Sequence, residues 1–252
     1  MMKARNKKSL FKHLLISCIV VMLFTPLYMY FAHDVLELKT EYPHLIVNPD
    51  NSVEVQVKST KPSQWVDLRG ISKSVKGAIV LSEDWAFYQH EGLDVNQIKV
   101  ALSEMVEDKR FRGASTITQQ MVKNVYLSHS PKLWRKIQEI LLAQKVEKVL
   151  SKDRILEIYL NCIEYGPGIY GIKAAAQHYF RKHPSTLGPR EAAFLAMLLP
   201  SPKGYYISFK RKQMTEFAKL RVKAILKKMR LGKIISEKHY NSEINRKFHW
   251  EY

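Results

Sequence analysis

Leu14 to Ala32 is an uncharged run of 19 residues, and it fixes one element of the fold before anything else is known. At about 1.5 Å per residue it makes a helix of roughly 28 Å, enough to cross the hydrocarbon core of a bilayer. Lys3, Arg5, Lys7, Lys8 and Lys12 precede it, whereas Asp34 and Glu37 follow. The positive-inside rule then places a basic tail (1–12) in the cytoplasm, a single transmembrane helix at 13–33, and the rest of the chain on the periplasmic or extracellular side of the cell (inner) membrane. A cleaved signal peptide is the rival reading. The run is longer than a usual signal core, and no small-x-small cleavage site follows it.

The 252 residues allow one domain with a real core plus appendages. The net charge of +18, from 41 Lys and Arg against 23 Asp and Glu, calls for an anionic partner. Behind a membrane span, that partner is a membrane surface or a phosphate-bearing substrate rather than nucleic acid. Cys18 and Cys162 fall on different sides of the span boundary, so the sequence encodes neither a disulfide framework nor a metal cage.

Residues 34–64 are mixed and rich in turn formers, and only Ser52 to Lys58 alternates, which predicts one short strand in a connector. From Trp65 the periodicity is helical. Ser72 is an N-cap for a helix running to the Glu83 loop, and a second helix is expected over about Val95 to Glu107. In the third, Ile117, Met121 and Val125 form an apolar stripe, with Gln120, Lys123 and Asn124 on a polar face. The fourth is expected to bury Leu133, Ile137, Ile140 and Leu141. The fifth, capped by Ser151, stacks Ile155, Ile158, Tyr159 and Cys162 on one side, with Glu157 and Asn161 on another. Pro189 suits the first position of a short apolar helix that Pro200 stops. Lys210 to Lys247 carries 13 Lys and Arg against three Glu. It predicts a last helix with Phe217, Leu220, Ala224, Ile225, Leu226 and Met229 packed on the domain and a basic outer face.

Three stretches carry chemistry. Glu83 follows the apolar Ala78–Leu81 and is flanked by Trp85 and Phe87, surroundings that raise a carboxyl pKa and suit a general base. Taken alone, such a residue is more often a solvated or capping carboxylate. Gly113-Ala114-Ser115-Thr116 opens a helix with capping hydroxyls and free backbone N–H groups, a place for an anion. Lys123, Asn124, Arg135 and Lys136 add donors for a diphosphate.

In order and spacing the set resembles the peptidoglycan glycosyltransferases, the family of class A penicillin-binding proteins and monofunctional biosynthetic transglycosylases. Glu83-Asp84 with Phe87, His90 and Gly92 is similar to its first motif, Gly113 to Gln120 to its second, and Arg135-Lys136-x-x-Glu139 to its third. Lys152 to Asn161 and Arg190-Glu191-Ala192-Ala193 to Leu199-Pro200 resemble the fourth and fifth. The likeness covers about 65–208. It implies a mainly α, lysozyme-like glycosyltransferase domain there, followed by a basic C-terminal helical segment at 209–252.

The resemblance further implies polymerisation of lipid II into glycan strands, with Glu83 as the base and Glu139 as a second catalytic carboxylate. Ser115, Thr116, Gln119, Gln120, Lys123, Asn124, Arg135 and Lys136 are the expected substrate contacts. The implied partners are lipid II, the lipid-linked growing strand, the membrane and other cell wall synthesis or division proteins. A divalent cation, Mg2+ or Mn2+, bridging Glu139 to the diphosphate would suit this chemistry, although no ligand set for one is encoded. Two positions depart from the family: Lys132 is the only basic residue shortly before Arg135-Lys136, and Arg154 stands where an acidic residue is common. The chain stops at Tyr252, leaving no room for a transpeptidase domain, which points to the monofunctional type. A lysozyme-like hydrolase and a catalytically dead scaffold are the rivals. The first needs no diphosphate clamp, and the second needs no intact Glu83 and Glu139.

Overall fold

The computed structural model describes residues 13, 34–50, 52–106, 115–127 and 132–251. Residues 14–33 of the expected membrane span, with Cys18, and residues 107–114, with the Gly113-Ala114 pair, lie outside the described residues. Among the described residues no helix is long and apolar enough to cross a membrane.

The described fold is mainly helical. It begins with a β-hairpin, β1 (Tyr42–Val47) against β2 (Val53–Lys58), antiparallel with Tyr42 opposite Lys58. Only the second strand is predicted from alternation. The first carries Pro43, which suits an edge, and its apolar residues do not alternate cleanly. The turn closes through Asp50 Oδ1, which accepts from the Ser52 N–H (2.9 Å), and Asn48 Nδ2, which donates to Ser52 Oγ.

Helix α1 (Lys73–Glu83) starts where Ser72 Oγ accepts from Val75 N–H, as expected, and ends at Glu83. Helix α2 spans Val95–Val106 and α3 spans Ile117–Tyr126. The α3 stripe of Ile117, Met121 and Val125 is buried. Helix α4 (Lys132–Val149) turns a different face inward from the one expected: Ile137 is exposed and Ile140 and Leu141 are half-buried, while Gln138, Glu139, Leu142, Ala143 and Val146 are buried. A carboxylate can take an inward position if cations pair with it, and Glu139 has two such partners within hydrogen-bonding reach or close to it.

Helix α5 (Lys152–Cys162) buries Ile155, Ile158, Tyr159 and Cys162, and burial pushes the Cys162 thiol up to about 12. Its polar side has a structural task. Glu157 accepts from Trp65 Nε1 and Leu68 N–H, Asn161 brackets Val66 through its N–H and C=O, and Arg154 donates to the carbonyls of Leu38 and Glu41. The unusual Arg154 therefore fastens the connector to the helical domain.

A small hairpin, β3 (Glu164–Gly166) and β4 (Ile169–Tyr170), comes next, followed by α6 (Ile172–Phe180) and α7 (Pro189–Leu198). Two single turns, α8 (Pro202–Tyr205) and α9 (Ile207–Lys210), lead to α10 (Glu216–Leu231) and α11 (Glu237–Glu243). Helix α10 packs against α1 and α7. It buries Ala218, Val222, Ile225, Leu226 and Met229, whereas Phe217, Leu220 and Ala224, expected in the same stripe, face outward. These three lie on the opposite side of a 3.6-residue helix from Val222 and Met229.

Candidate active site

Three separate stretches meet around the end of α1. Asp84 is buried; its Oδ2 accepts from the Ile117 N–H at the first turn of α3 (2.9 Å), and its Oδ1 lies 2.9 Å from His90 Nε2. The residue beside Glu83 thus ties α1 to the start of α3, where an acidic group also meets the positive end of the helix dipole. Thr116 and Gln119 close a capping box: Thr116 Oγ1 accepts from Gln119 N–H and Gln119 Oε1 accepts from Thr116 N–H, at 3.2 and 3.0 Å. The Thr116 hydroxyl donates onward to the Gly92 carbonyl at 2.7 Å. Gly92 has φ +83°, a conformation that side-chain-bearing residues adopt only under strain, and an added Cβ would press at about 3.1–3.2 Å on Glu147 and the Ala143 backbone.

This geometry separates the predicted substrate contacts into two groups. Thr116 and Gln119 are spent on the cap, and Gln119 is only 2% exposed, so both set the turn rather than face the cleft. Gln120, Lys123, Asn124 and Ser115 sit on or beside the outward face: Lys123 is exposed and the other three are half-buried. Lys136 Nζ donates to Ser115 Oγ (2.8 Å) and lies 3.2 Å from Glu139 Oε2, while Arg135 Nε approaches Glu139 Oε1 at 3.3 Å. The second and third motifs therefore form one polar cluster around a carboxylate only 6% exposed.

Glu83 is half-buried at the last position of α1. Gln120 Nε2 donates to its Oε2 at 3.1 Å, and Tyr159 OH donates to Gln120 Oε1 at 3.0 Å. Burial raises the Glu83 pKa above the usual carboxylate range. The Gln120 hydrogen bond and the charges of Lys228 and Arg221 work against that rise, and Asp84 adds to it. Tyr159, fully buried, has a hydroxyl pKa pushed well above its ordinary value by burial and by the Glu83 charge, which keeps it a donor. Trp85 does not wall the carboxylate as its position suggests, since it is 57% exposed; Phe87 is buried with Lys152 Nζ 4.6 Å from its ring centre.

Sequence reading missed the part that four residues play here. Tyr159 reads as core because of its helical spacing, and only the Gln120 contact reveals its second task. Arg221 and Lys228 lie more than 130 residues beyond Glu83 on α10, and Lys228 Nζ donates to the Leu81 carbonyl, in the last turn of α1, at 3.1 Å. Lys152 joins the fourth motif to the first and to the later turns of α4, donating to the His90 carbonyl at 2.5 Å and pairing with Glu147 at 2.7 Å.

Among the described residues no three His, Cys, Asp or Glu come together to hold an ion. Glu139 is paired with Arg135 and Lys136. The side chains alone do not fit a protein-built cation site, so no step is routed through one.

A mainly helical domain thus carries a half-buried carboxylate at the end of α1 and, bridged through the start of α3, a cation cluster around a second carboxylate on α4. The family model described as Transglycosylase matches residues 50–230, and the chain belongs to that family, the peptidoglycan glycosyltransferases. Three of the relatives it resembles share one name. A biosynthetic peptidoglycan transglycosylase of Pasteurella multocida (strain Pm70) is 40% identical over 223 residues, 88% of this chain and 85% of that protein. Those of Nitrosomonas eutropha and Brucella suis biovar 1 are 46% and 47% identical over 143 and 139 residues, or 56% and 55% of this chain. The aligned part spans 59% and 62% of those two proteins. The match to residue 230 takes in nearly all of α10.

Proposed function

We propose that this chain is a peptidoglycan glycosyltransferase that polymerises lipid II into glycan strands in cell wall synthesis. The observation that carries the reading is Glu83: a carboxylate with a raised pKa, oriented by the Gln120 amide of α3, the helix at whose start Ser115 meets Lys136 of the Arg135, Lys136 and Glu139 cluster on α4. Glu83 takes the proton of the acceptor's sugar hydroxyl as that oxygen bonds to the anomeric carbon of the lipid-linked donor. The bond from that carbon to the diphosphate breaks, and polyprenyl diphosphate leaves with the electron pair. One displacement of this kind inverts an α-linked diphosphate to a β-glycosidic bond.

Lys136, Arg135 and Lys123 stabilise the departing diphosphate, with Ser115, Gln120 and Asn124 as polar contacts. Glu139, paired with Arg135 and Lys136, orients these cations rather than donating a proton. Thr116 and Gln119 act as positioning residues through the capping box. Residues 13–33 anchor the enzyme in the inner membrane with its N-terminus cytoplasmic, so the cleft works at the outer face, where its lipid-linked substrate and other cell wall synthesis or division proteins meet it. A lysozyme-like hydrolase fits less well, because cutting a finished strand gives no use for the cations around Glu139. Purified protein incubated with labelled lipid II should yield polymer that lysozyme digests; monomer that stays intact, or cleavage of preformed strands, contradicts the reading.

A further inference from the structure

Helix α10 is amphipathic in an unusual sense, because both of its faces carry apolar residues. The inner face is spent on the core. On the opposite side Phe217 is 46% exposed and Leu220 and Leu231 are each 67% exposed, with Ala224 also outward. Their spacing of 3, 4 and 7 residues lines them up along one side of the helix. Lys223 and Lys227 flank this strip on one edge, and Arg221 and Lys228 on the other, all four exposed. The whole helix has six Lys and Arg against Glu216 alone.

We propose that this outer face is a lipid-surface contact, with Phe217, Leu220 and Leu231 entering the interface of an anionic bilayer while the flanking cations meet its headgroups. Charge selects the occupant. A second copy of the chain would bring the same four flanking cations against these, and repulsion would oppose pairing. A nucleic acid would satisfy the cations but leave the leucines in water. An anionic bilayer satisfies both, since long basic side chains extend to the phosphates while apolar ones go deeper. The placement matters because Lys228 also reaches the Leu81 carbonyl, so the contact runs along the rim of the element that ends in Glu83. The inference stands on the helix face and does not depend on the role of Glu83.

The test uses the full chain, with Cys18→Ser to leave the buried Cys162 as the remaining native thiol. A bimane fluorophore is attached at Leu220→Cys or, as a control, at the exposed Lys238→Cys, and the protein is mixed with vesicles carrying a spin-labelled quencher lipid. In an equal mixture of phosphatidylcholine and phosphatidylglycerol the label at 220 should be quenched several-fold more than the label at 238. The difference should shrink in high salt and in the Lys223→Gln/Lys227→Gln variant. Equal quenching at the two positions overturns the proposal. So does shielding of the label at 220 in detergent that grows with protein concentration, which would assign the face to a second copy. Quenching is read without turnover, so failure of the contact and failure of the catalytic assignment are told apart.

Discussion

Gln120 holds Glu83 through a 3.1 Å hydrogen bond from its amide nitrogen, and the Tyr159 hydroxyl fixes which way that amide points. The oxygen of Gln120 is engaged by a tyrosine that stays protonated, so the nitrogen must face the carboxylate. Glu83 therefore has one oxygen held and the other available to a substrate proton. Gln120→Ala removes the amide that favours the ionised form. The acid limb of the rate profile should move to higher pH and turnover at neutral pH should fall about tenfold, roughly 1.4 kcal/mol. Tyr159→Phe should move both in the same direction by less.

The pH dependence follows from the same site. A base works ionised, and burial raises the Glu83 pKa, so activity should be lost on acidification earlier than an ordinary carboxylate predicts. Lys228 and Arg221 oppose the rise, so Arg221→Gln should push the acid limb further upward. For stability the sign is reversed: a carboxyl raised in the folded state costs nothing below its unfolded pKa and destabilises as pH climbs through the folded one. Glu83→Gln should thus melt higher than the parent at neutral pH and converge with it at low pH. Rate profiles and thermal melts across pH check both signs.

Asp84 neighbours the base but serves the scaffold. Asp84→Ala strips a partner from the Ile117 N–H and from His90, both at 2.9 Å, in a buried setting. The cost should be about 2–3 kcal/mol of stability, read by denaturant unfolding. A variant that unfolds like the parent would show that the tie between α1 and α3 is dispensable.

The cation cluster should show itself in binding. Lys136→Ala removes the donor to Ser115 and one partner of Glu139 while leaving Arg135 in place. The expected result is a KM for lipid II raised about 10-fold or more, with a smaller fall in kcat, since part of this contact exists before the transition state. Stability should drop by about 1 kcal/mol at most, because Lys136 is exposed enough for water to screen the pair.

What the sequence disclosed and what it hid follow from the range of the interactions. Ser72, Ser151 and the stripe of Ile117, Met121 and Val125 are local patterns, and all are where periodicity and capping place them. The inward face of α4 was hidden, because Glu139 is buried only by virtue of Arg135 and Lys136, and apolar periodicity gives no weight to such pairing. β1 was hidden because register against β2, rather than alternation, defines it. Arg154 looked like a departure from its motif until its bonds to Leu38 and Glu41 showed what it holds. On α10, an apolar count over Phe217 to Met229 merges two opposite faces, and only packing against α1 and α7 tells them apart.

The assignment of Glu83 as the base is tested most directly by Glu83→Gln, which keeps shape and removes only the proton acceptor. With purified full chain, parent and variant, one would follow both binding of labelled lipid II and formation of lysozyme-sensitive polymer. The expected result is binding within about twofold of the parent and polymerisation reduced by about 10²–10⁴-fold, the usual contribution of a general base. Polymerisation near the parent rate in a variant that folds and binds would contradict the account.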